Sequence, residues 1–288
     1  MKQSSMMPVL AAIVTLLVSG CSTDPSSDYV QDGSILVESN ASIDLLSATI
    51  ILPLDRYGMD DHEVRLVSAA QDLALMACVN EEGGMSGAGV SGAQEILAEP
   101  ESFANWLYGY WDATFISANG WETSSGVQRS SDMNETDLVK AKECVKVQSY
   151  IDLSPIYPGV ASYDSVADQF QSAWSEAYSA TISDPEFLAL VDERSACLQS
   201  EGYQVSNTGS FDGVTILKDA TDEEILQAAI AEATCSDKLN FTEQAADINA
   251  GYQQKYIDTH QAELTALRQL ADERVNRATQ ILRDAGVM

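Results

Sequence analysis

Positive charge is scarce in this chain: 15 Lys and Arg stand against 44 Asp and Glu, for a formal net charge of -29 over 288 residues. A nucleic acid or an anionic lipid face is bound through a basic footprint, so this balance argues against both as docking partners. Histidine is scarcer still. His62 sits beside Asp61 and Glu63, His260 lies near Asp258 and Glu263, and neither has the second histidine four residues on that an HExxH zinc site needs. Ser86, Ser91 and Ser195 lack the GxSxG elbow of a serine hydrolase. The run Gly83 to Gly92, GGMSGAGVSG, reads as a glycine- and serine-rich loop; without the GxxxxGK[ST] order or a nearby Lys it cannot cradle a phosphate.

Ordered calcium chemistry is missing too. Glu81, Glu82 and the acids from Asp132 to Asp137 are loose oxygen donors, but no D-x-[DN]-x-[DN]-G loop with a Glu in twelfth place occurs. With 44 acids in the chain, a pair chosen as catalytic acid and base would be coincidence. No CxxC is present, which leaves thioredoxin-like exchange unsupported. The chain is therefore read as non-catalytic, with no catalytic residue, no metal ligand and no cofactor. Its apolar content of 45% is nevertheless too high for a disordered acidic tail and is enough for helical domains.

What is present begins at the amino terminus. Lys2, an apolar run from Val9 to Val18 interrupted by Thr15, and Leu17-Val18-Ser19-Gly20-Cys21 follow in order. A ten-residue core is too short for an ordinary membrane span, and the order is that of a signal peptide over 1–20. The last five residues resemble the lipobox of bacterial lipoproteins. That resemblance implies lipidation of Cys21 and attachment to the cell membrane through the lipid, on the side facing outside the cytoplasm. Cleavage would remove one Lys and no acid and leave 268 residues, so the anchor would be lipid rather than a basic face.

Assigning Cys21 to lipid leaves Cys78, Cys144, Cys197 and Cys235, which allow three disulfide pairings in an exported chain. Their intervals of 66, 53 and 38 residues are too wide for paired thiolate metal ligands. An internal repeat favours one pairing. Ala77-Cys78-Val79-Asn80 with Glu82-Gly83 is echoed by Ala196-Cys197-Leu198-Gln199 with Glu201-Gly202, each an apolar helical pattern with a cysteine five residues before a glycine. Two related units would each hold one crosslink, Cys78 to Cys144 and Cys197 to Cys235; a Cys78 to Cys197 bridge would mean that the repeated helices face each other.

The fold class expected is all-α, with disulfide-stapled helical units and a long C-terminal helix. Residues 21–40 read as a flexible tether, 41–152 as the first helical unit and 163–288 as the second, with Pro155 and Pro158 in the break between them. Ile43 to Leu54 fits a strand or a short buried helix equally well. Asp60 with Glu63 and Thr221 with Glu224 have capping-box spacing, Asn240 with Glu243 likewise, and Asp184-Pro185 gives an N-cap and a first-turn proline. Phe103, Trp106, Leu107, Tyr110 and Trp111 fall three and four apart and predict a helix after Pro100. Trp106, Tyr110, Trp111 and, further on, Trp174 are core aromatics or the wall of a ligand pocket. From Asn240 a pattern of apolar residues at gaps of three and four runs to Gly286. At about 1.5 Å per residue such a helix is longer than the body is wide, so it is expected to break near Gly251 or to extend as an arm. Covering the first unit is the favoured placement, because Leu264, Leu267, Leu270, Val275 and Ile281 are too apolar to leave in water.

Ala77 to Gly83, Ala196 to Tyr203 and Ala233-Thr234-Cys235 together resemble a group of uncharacterised secreted lipoproteins of actinobacteria with paired cysteine-bearing helices. The first unit departs from that pattern, with Gly84 where an aromatic is expected. The resemblance implies disulfide pairing and an all-helical envelope protein, and it transfers no catalytic residue. Two functional classes follow: a non-catalytic, membrane-anchored envelope protein that works through a protein partner or as an accessory, and a ligand-binding lipoprotein with an aromatic-lined pocket. A closed core around the rings favours the first, and an open cleft with convergent polar groups favours the second.

Overall fold

The computed structural model describes residues 41–45, 48–80, 87–98, 106–121, 135–157, 165–207, 212–216 and 219–288. Cys21, the apolar leader and the tether lie outside them, as do Glu81, Glu82, Asp132 and Phe103. Within Val37–Met288 the chain clusters as one compact body.

That body opens with a hairpin. Strand β1 (Ser42–Asp44) pairs antiparallel with β2 (Thr49–Ile51) across a turn in which Ala48 is left-handed, at φ 51°. Alternation then sorts the side chains: Ile50 and Leu52 are sealed inside, while Ile51 faces water. Pro53 starts a 3₁₀ turn, Pro53–Tyr57. Ile43 to Leu54 is thus a strand pair and a turn, because its β-branched residues favour extended backbone and Pro53 cannot extend a ladder.

Helix α1 (Asp61–Val79) starts with the expected reciprocal cap: Glu63 N donates to Asp60 Oδ1 at 2.8 Å, and Asp60 N donates to Glu63 Oε2 at 3.0 Å. Leu66, Ala69, Ala70 and Leu73 form its buried face. The next helix, α2 (Gly87–Ala98), corrects the loop reading of Gly83 to Gly92 from Gly87 onward. Its glycines permit close approach to α1: a Cβ on Gly92 would lie 2.6 Å from Asp72 Oδ2, and one on Gly89 would lie 3.2 Å from Met76 Cβ.

The aromatic stretch is not helical. Trp106 to Trp111 is irregular, with a single bridge between Leu107 and Gly109, and helix begins only at α3 (Ala113–Asn119), capped by Asp112. Gly109 sits at φ 84°, so the chain turns there instead of continuing a helical stripe. Helices α4 (Glu135–Cys144) and α5 (Gln148–Ile151) follow, then α6 (Ser165–Ile182) and α7 (Pro185–Ser200), the last capped by Asp184, which accepts from Glu186 N at 2.8 Å. A second hairpin, β3 (Val205–Asn207) with β4 (Asp212–Val214), leads to α8 (Asp222–Leu239) and its Thr221–Glu224 capping box.

The expected Asn240–Glu243 cap does not form. Asn240 is left-handed, at φ 48° and ψ 37°, and its side chain makes no cap hydrogen bond. It is the one-residue joint between α8 and α9 (Phe241–Asp284), a position that Asn tolerates better than most residues.

Helix α9 has 44 residues and unites the molecule. It bends at His260, where φ is -126° and ψ 21°, and not at Gly251. Phe241, Ala245 and Ala246 join Tyr108, Trp111 and Phe187 in the main core. Beyond the bend, Leu264, Leu267, Ala271, Ala278 and Leu282 are buried. Arginines pin that half down: Arg274 donates to the Ser154 carbonyl at 2.6 Å, Arg277 pairs with Asp152 at 3.0 Å, and Arg268 bonds Glu63 and the Gly58 carbonyl. The far half therefore covers the α1 side of the body. The disulfides are Cys78–Cys144, joining α1 to α4, and Cys197–Cys235, joining α7 to α8.

Candidate functional site: aromatic core, buried charges and a groove at the α9 bend

The rings singled out by sequence pack on the core, Trp111 buried and Trp106, Tyr110 and Trp174 half-buried at its edge. Trp106 stands edge-on to Tyr110 at 5.4 Å, to Trp111 at 6.0 Å and to Phe115 at 6.2 Å. Trp174 stacks on Tyr178 at 5.7 Å, and Tyr178 stacks on Tyr108 at 6.3 Å. Phe187, Phe241, Ile50 and Leu52 close around them. Trp111 is 6% exposed and Tyr108 0%, so these two are packing groups, while Trp106, Tyr110 and Trp174 are half-buried and packed against the core.

Polar groups inside this core hold its elements in place. Asn249 of α9 donates to the Tyr108 hydroxyl at 2.7 Å, and burial pushes that phenol well above its ordinary range. Leu54 N donates to Gln253 Oε1 at 2.8 Å, which ties the 3₁₀ turn to α9. Asp55 accepts from Leu52 N at 2.8 Å through one oxygen, while the other is sealed from solvent. Burial raises its carboxyl to about 6, against the opposing pull of the Leu52 amide and Trp174.

A second buried network joins α7 to α8. Arg194, 1% exposed, donates to Glu232 Oε2 at 2.8 Å, and Val214 N donates to Glu232 Oε1 at 2.6 Å. The guanidinium also reaches the Tyr108 carbonyl at 3.4 Å and lies 5.0 Å over the Phe241 ring. Burial raises the Glu232 carboxyl, and the Arg194 charge and the Val214 amide oppose that rise. Both carboxyl oxygens are occupied, so the pair leaves no acid free for chemistry on a substrate.

A groove of about 400 Å³ opens between α6 and α9 at the bend. Asp168 and Glu176 line one side, and Tyr256, His260 and Glu263 line the other. The bend has a local cause. His260 Nδ1 lies 2.9 Å from the Tyr256 carbonyl and Thr259 Oγ1 donates to the same oxygen at 3.0 Å, so side chains take the acceptor that a backbone amide would use in a straight helix. The imidazole then stacks on the Tyr256 ring with centroids 4.0 Å apart. Burial, with the Glu263 and Glu176 charges, raises the Tyr256 phenol. An aromatic wall amid carboxylates suits an organic cation better than an anion.

None of Trp106, Tyr110, Trp111 and Trp174 lines this groove. Sequence reading missed Asp55, the Arg194–Glu232 pair and the Tyr256–His260 stack. A signal existed for one of them: Arg194 shares the stripe of Phe187, Val191 and Leu198, and a charge on an apolar face calls for a buried partner. Among the described residues no group of His, Cys, Asp and Glu is placed to hold a metal ion, and no helix is long and apolar enough to cross a membrane. No protein-family model, curated protein or solved structure matches the chain.

Proposed function

We propose that this protein is a membrane-anchored lipoprotein of the cell envelope, non-catalytic, working through a protein partner or as an accessory. Support comes first from the two disulfides, which persist in oxidising compartments. They agree with the leader ending in Leu17-Val18-Ser19-Gly20-Cys21. The choice of interaction over ligand capture is supported by the packing of Trp111 inside the core and of half-buried Trp106 and Trp174 against it, and by the absence of all three from the lining of the groove at the α9 bend. Crosslinking of intact envelopes followed by pull-down tests the reading: wild type should capture a protein partner, and Cys21→Ala should leave the membrane fraction and lose it. An unmodified Met1 on the abundant native protein would end the lipid-anchor part of the reading.

The ligand-binding alternative is favoured by one observation, the groove at the α9 bend. It moves the site from the tryptophans to Tyr256 and His260. A thermal-shift series with organic ammonium compounds separates the two readings. Stabilisation lost in Tyr256→Ala, with no partner captured from envelopes, would make ligand binding the better account.

A further inference from the structure

Helices α7 and α8 are joined by three rungs in succession. Arg194 pairs with Glu232, Cys197 is bonded to Cys235, and Glu201 meets Lys238 at 2.8 Å. The sequence separations are 38, 38 and 37 residues, so the two helices run side by side in the same direction. Two consecutive helices can run parallel only if the chain returns between them, and since Val205 pairs with Val214 the β3–β4 hairpin ends where it began, so the return falls between Val214 and Asp222. Nothing in the chain connectivity alone holds such a pair in register. An antiparallel helix pair would be set by its short loop; this one is not.

We propose that the buried Arg194–Glu232 pair is a register key, setting α7 against α8 before oxidation so that Cys197 meets Cys235 rather than Cys78 or Cys144. Each member of the pair lies three residues before a cysteine of the bridge, nearly one helical turn. Glu232 divides its oxygens between Arg194 and the Val214 amide, so one arrangement satisfies the helix pair and the β3–β4 hairpin together. A slip of one turn, about 5.4 Å, would leave a guanidinium that is now 1% exposed without its carboxylate. The same slip would carry the thiols beyond the Cα spacing that a disulfide accepts.

The chemistry is ordinary exchange with a disulfide donor such as oxidised glutathione. One cysteine thiolate attacks the donor and releases one glutathione thiol. The second thiolate then attacks the mixed disulfide and releases the other. Two protein thiols are oxidised by two electrons, and the donor is reduced to two thiols that carry the protons. The key takes no part in these bonds; it raises the local concentration of the correct attacking thiol.

The test is refolding of the reduced full chain in a glutathione buffer, with peptide mapping under non-reducing conditions. In Glu232→Gln the share of chains carrying Cys197–Cys235 should fall severalfold, with glutathione adducts and bridges to Cys78 or Cys144 in its place. Arg194→Leu/Glu232→Leu removes both buried charges and keeps apolar volume; its pairing should also fall, while its correctly bridged fraction melts like wild type. A second measurement separates register from mere stability. In Cys197→Ala/Cys235→Ala the ion pair should still hold the helices, so the Val214 amide should stay protected from hydrogen exchange by more than tenfold over an open amide. Wild-type pairing in both charge variants overturns the proposal. Loss of Val214 protection in the alanine pair does the same, and that result decides alone if Glu232→Gln does not fold.

Discussion

Arg268 of α9 grips Glu63 of α1 with both ends of its guanidinium, Nη1 to Oε2 at 3.0 Å and Nη2 to Oε1 at 2.7 Å. The same Glu63 carboxylate accepts from the Asp60 amide. One side chain thus begins α1 and receives the far half of α9. The capping spacing announced the first duty; the second needed the fold, because 205 residues separate the partners.

Leu267, next to that clamp, is 6% exposed. Leu267→Asp places an unpaired charge in the α1–α9 seam and should cost several kcal/mol, on the order of 3 or more. Thermal unfolding should shift down for the whole protein. Arg268→Ala should cost about 1.5–3 kcal/mol by the same measurement, the range for hydrogen bonds to charged groups. Unchanged melting of both variants would mean that the far half is not part of the folded body in solution.

The two bridges close intervals of 66 and 38 residues. In the chain-entropy picture each contributes at most about 4 kcal/mol, so Cys78→Ala/Cys144→Ala and Cys197→Ala/Cys235→Ala should each lower the denaturant midpoint markedly. Peptide mapping of the native protein should recover Cys78 with Cys144 and Cys197 with Cys235; any Cys78 to Cys197 peptide contradicts the structure.

Asp55 makes stability depend on pH in an unusual direction. Its folded pKa, about 6, lies above the ordinary 3.8, so the folded chain holds a proton that the unfolded chain gives up. Its contribution is fully present below pH about 4 and declines as pH rises toward 6, by on the order of 2–3 kcal/mol at most. Asp184, Glu201 and Glu224 run the other way. Hydrogen bonds from Tyr252, Lys238 and the Thr221 amide hold them below the usual carboxylate range, so their contribution is lost as pH falls. Comparing wild type with Asp55→Asn across pH 3.5 to 7.5 isolates the buried carboxyl. The variant should gain stability over wild type at pH 7 and lose that advantage at pH 4. A constant difference between the two proteins across this range would sink the assignment.

Gly58 stands at the end of the 3₁₀ turn with φ -86°, a backbone any residue can adopt. The constraint is space. A Cβ there would sit 2.9 Å from the Ile156 carbonyl oxygen and 2.9 Å from the Phe170 ring. Gly58→Ala should therefore destabilise by about 1–3 kcal/mol through overpacking, whereas Gly251→Ala, with open space around it, should be neutral or stabilising by chemical denaturation.

Much of the architecture was legible because its signals are local. Capping at Asp60, Asp184 and Thr221 needs only neighbours three residues away, and the cysteine repeat carried the pairing. Local reasoning failed where two influences competed. The spacing of Trp106, Tyr110 and Trp111 matched a helix, yet Gly109 turns the chain. Glycines in GGMSGAGVSG suggested a loop, yet two of them let α2 pack closely on α1. Gly251 looked like the weak point of α9, but the bend comes from side chains of Thr259 and His260 taking a backbone acceptor. The groove was illegible for a related reason: Glu176 and Tyr256 become neighbours only because α6 and α9 pack together.

The position of α9 after every element it closes on imposes an order of events. Tyr108, Leu54, Glu63 and Ser154 all find partners on residues Asn249 to Arg274, which are synthesised after all four. Until they arrive, these four groups lack their partners, and contacts of such long sequence separation form slowly. A chain wired this way leaves its main core, which counts Phe241, Ala245 and Ala246 among its members, unsealed until α9 has been made.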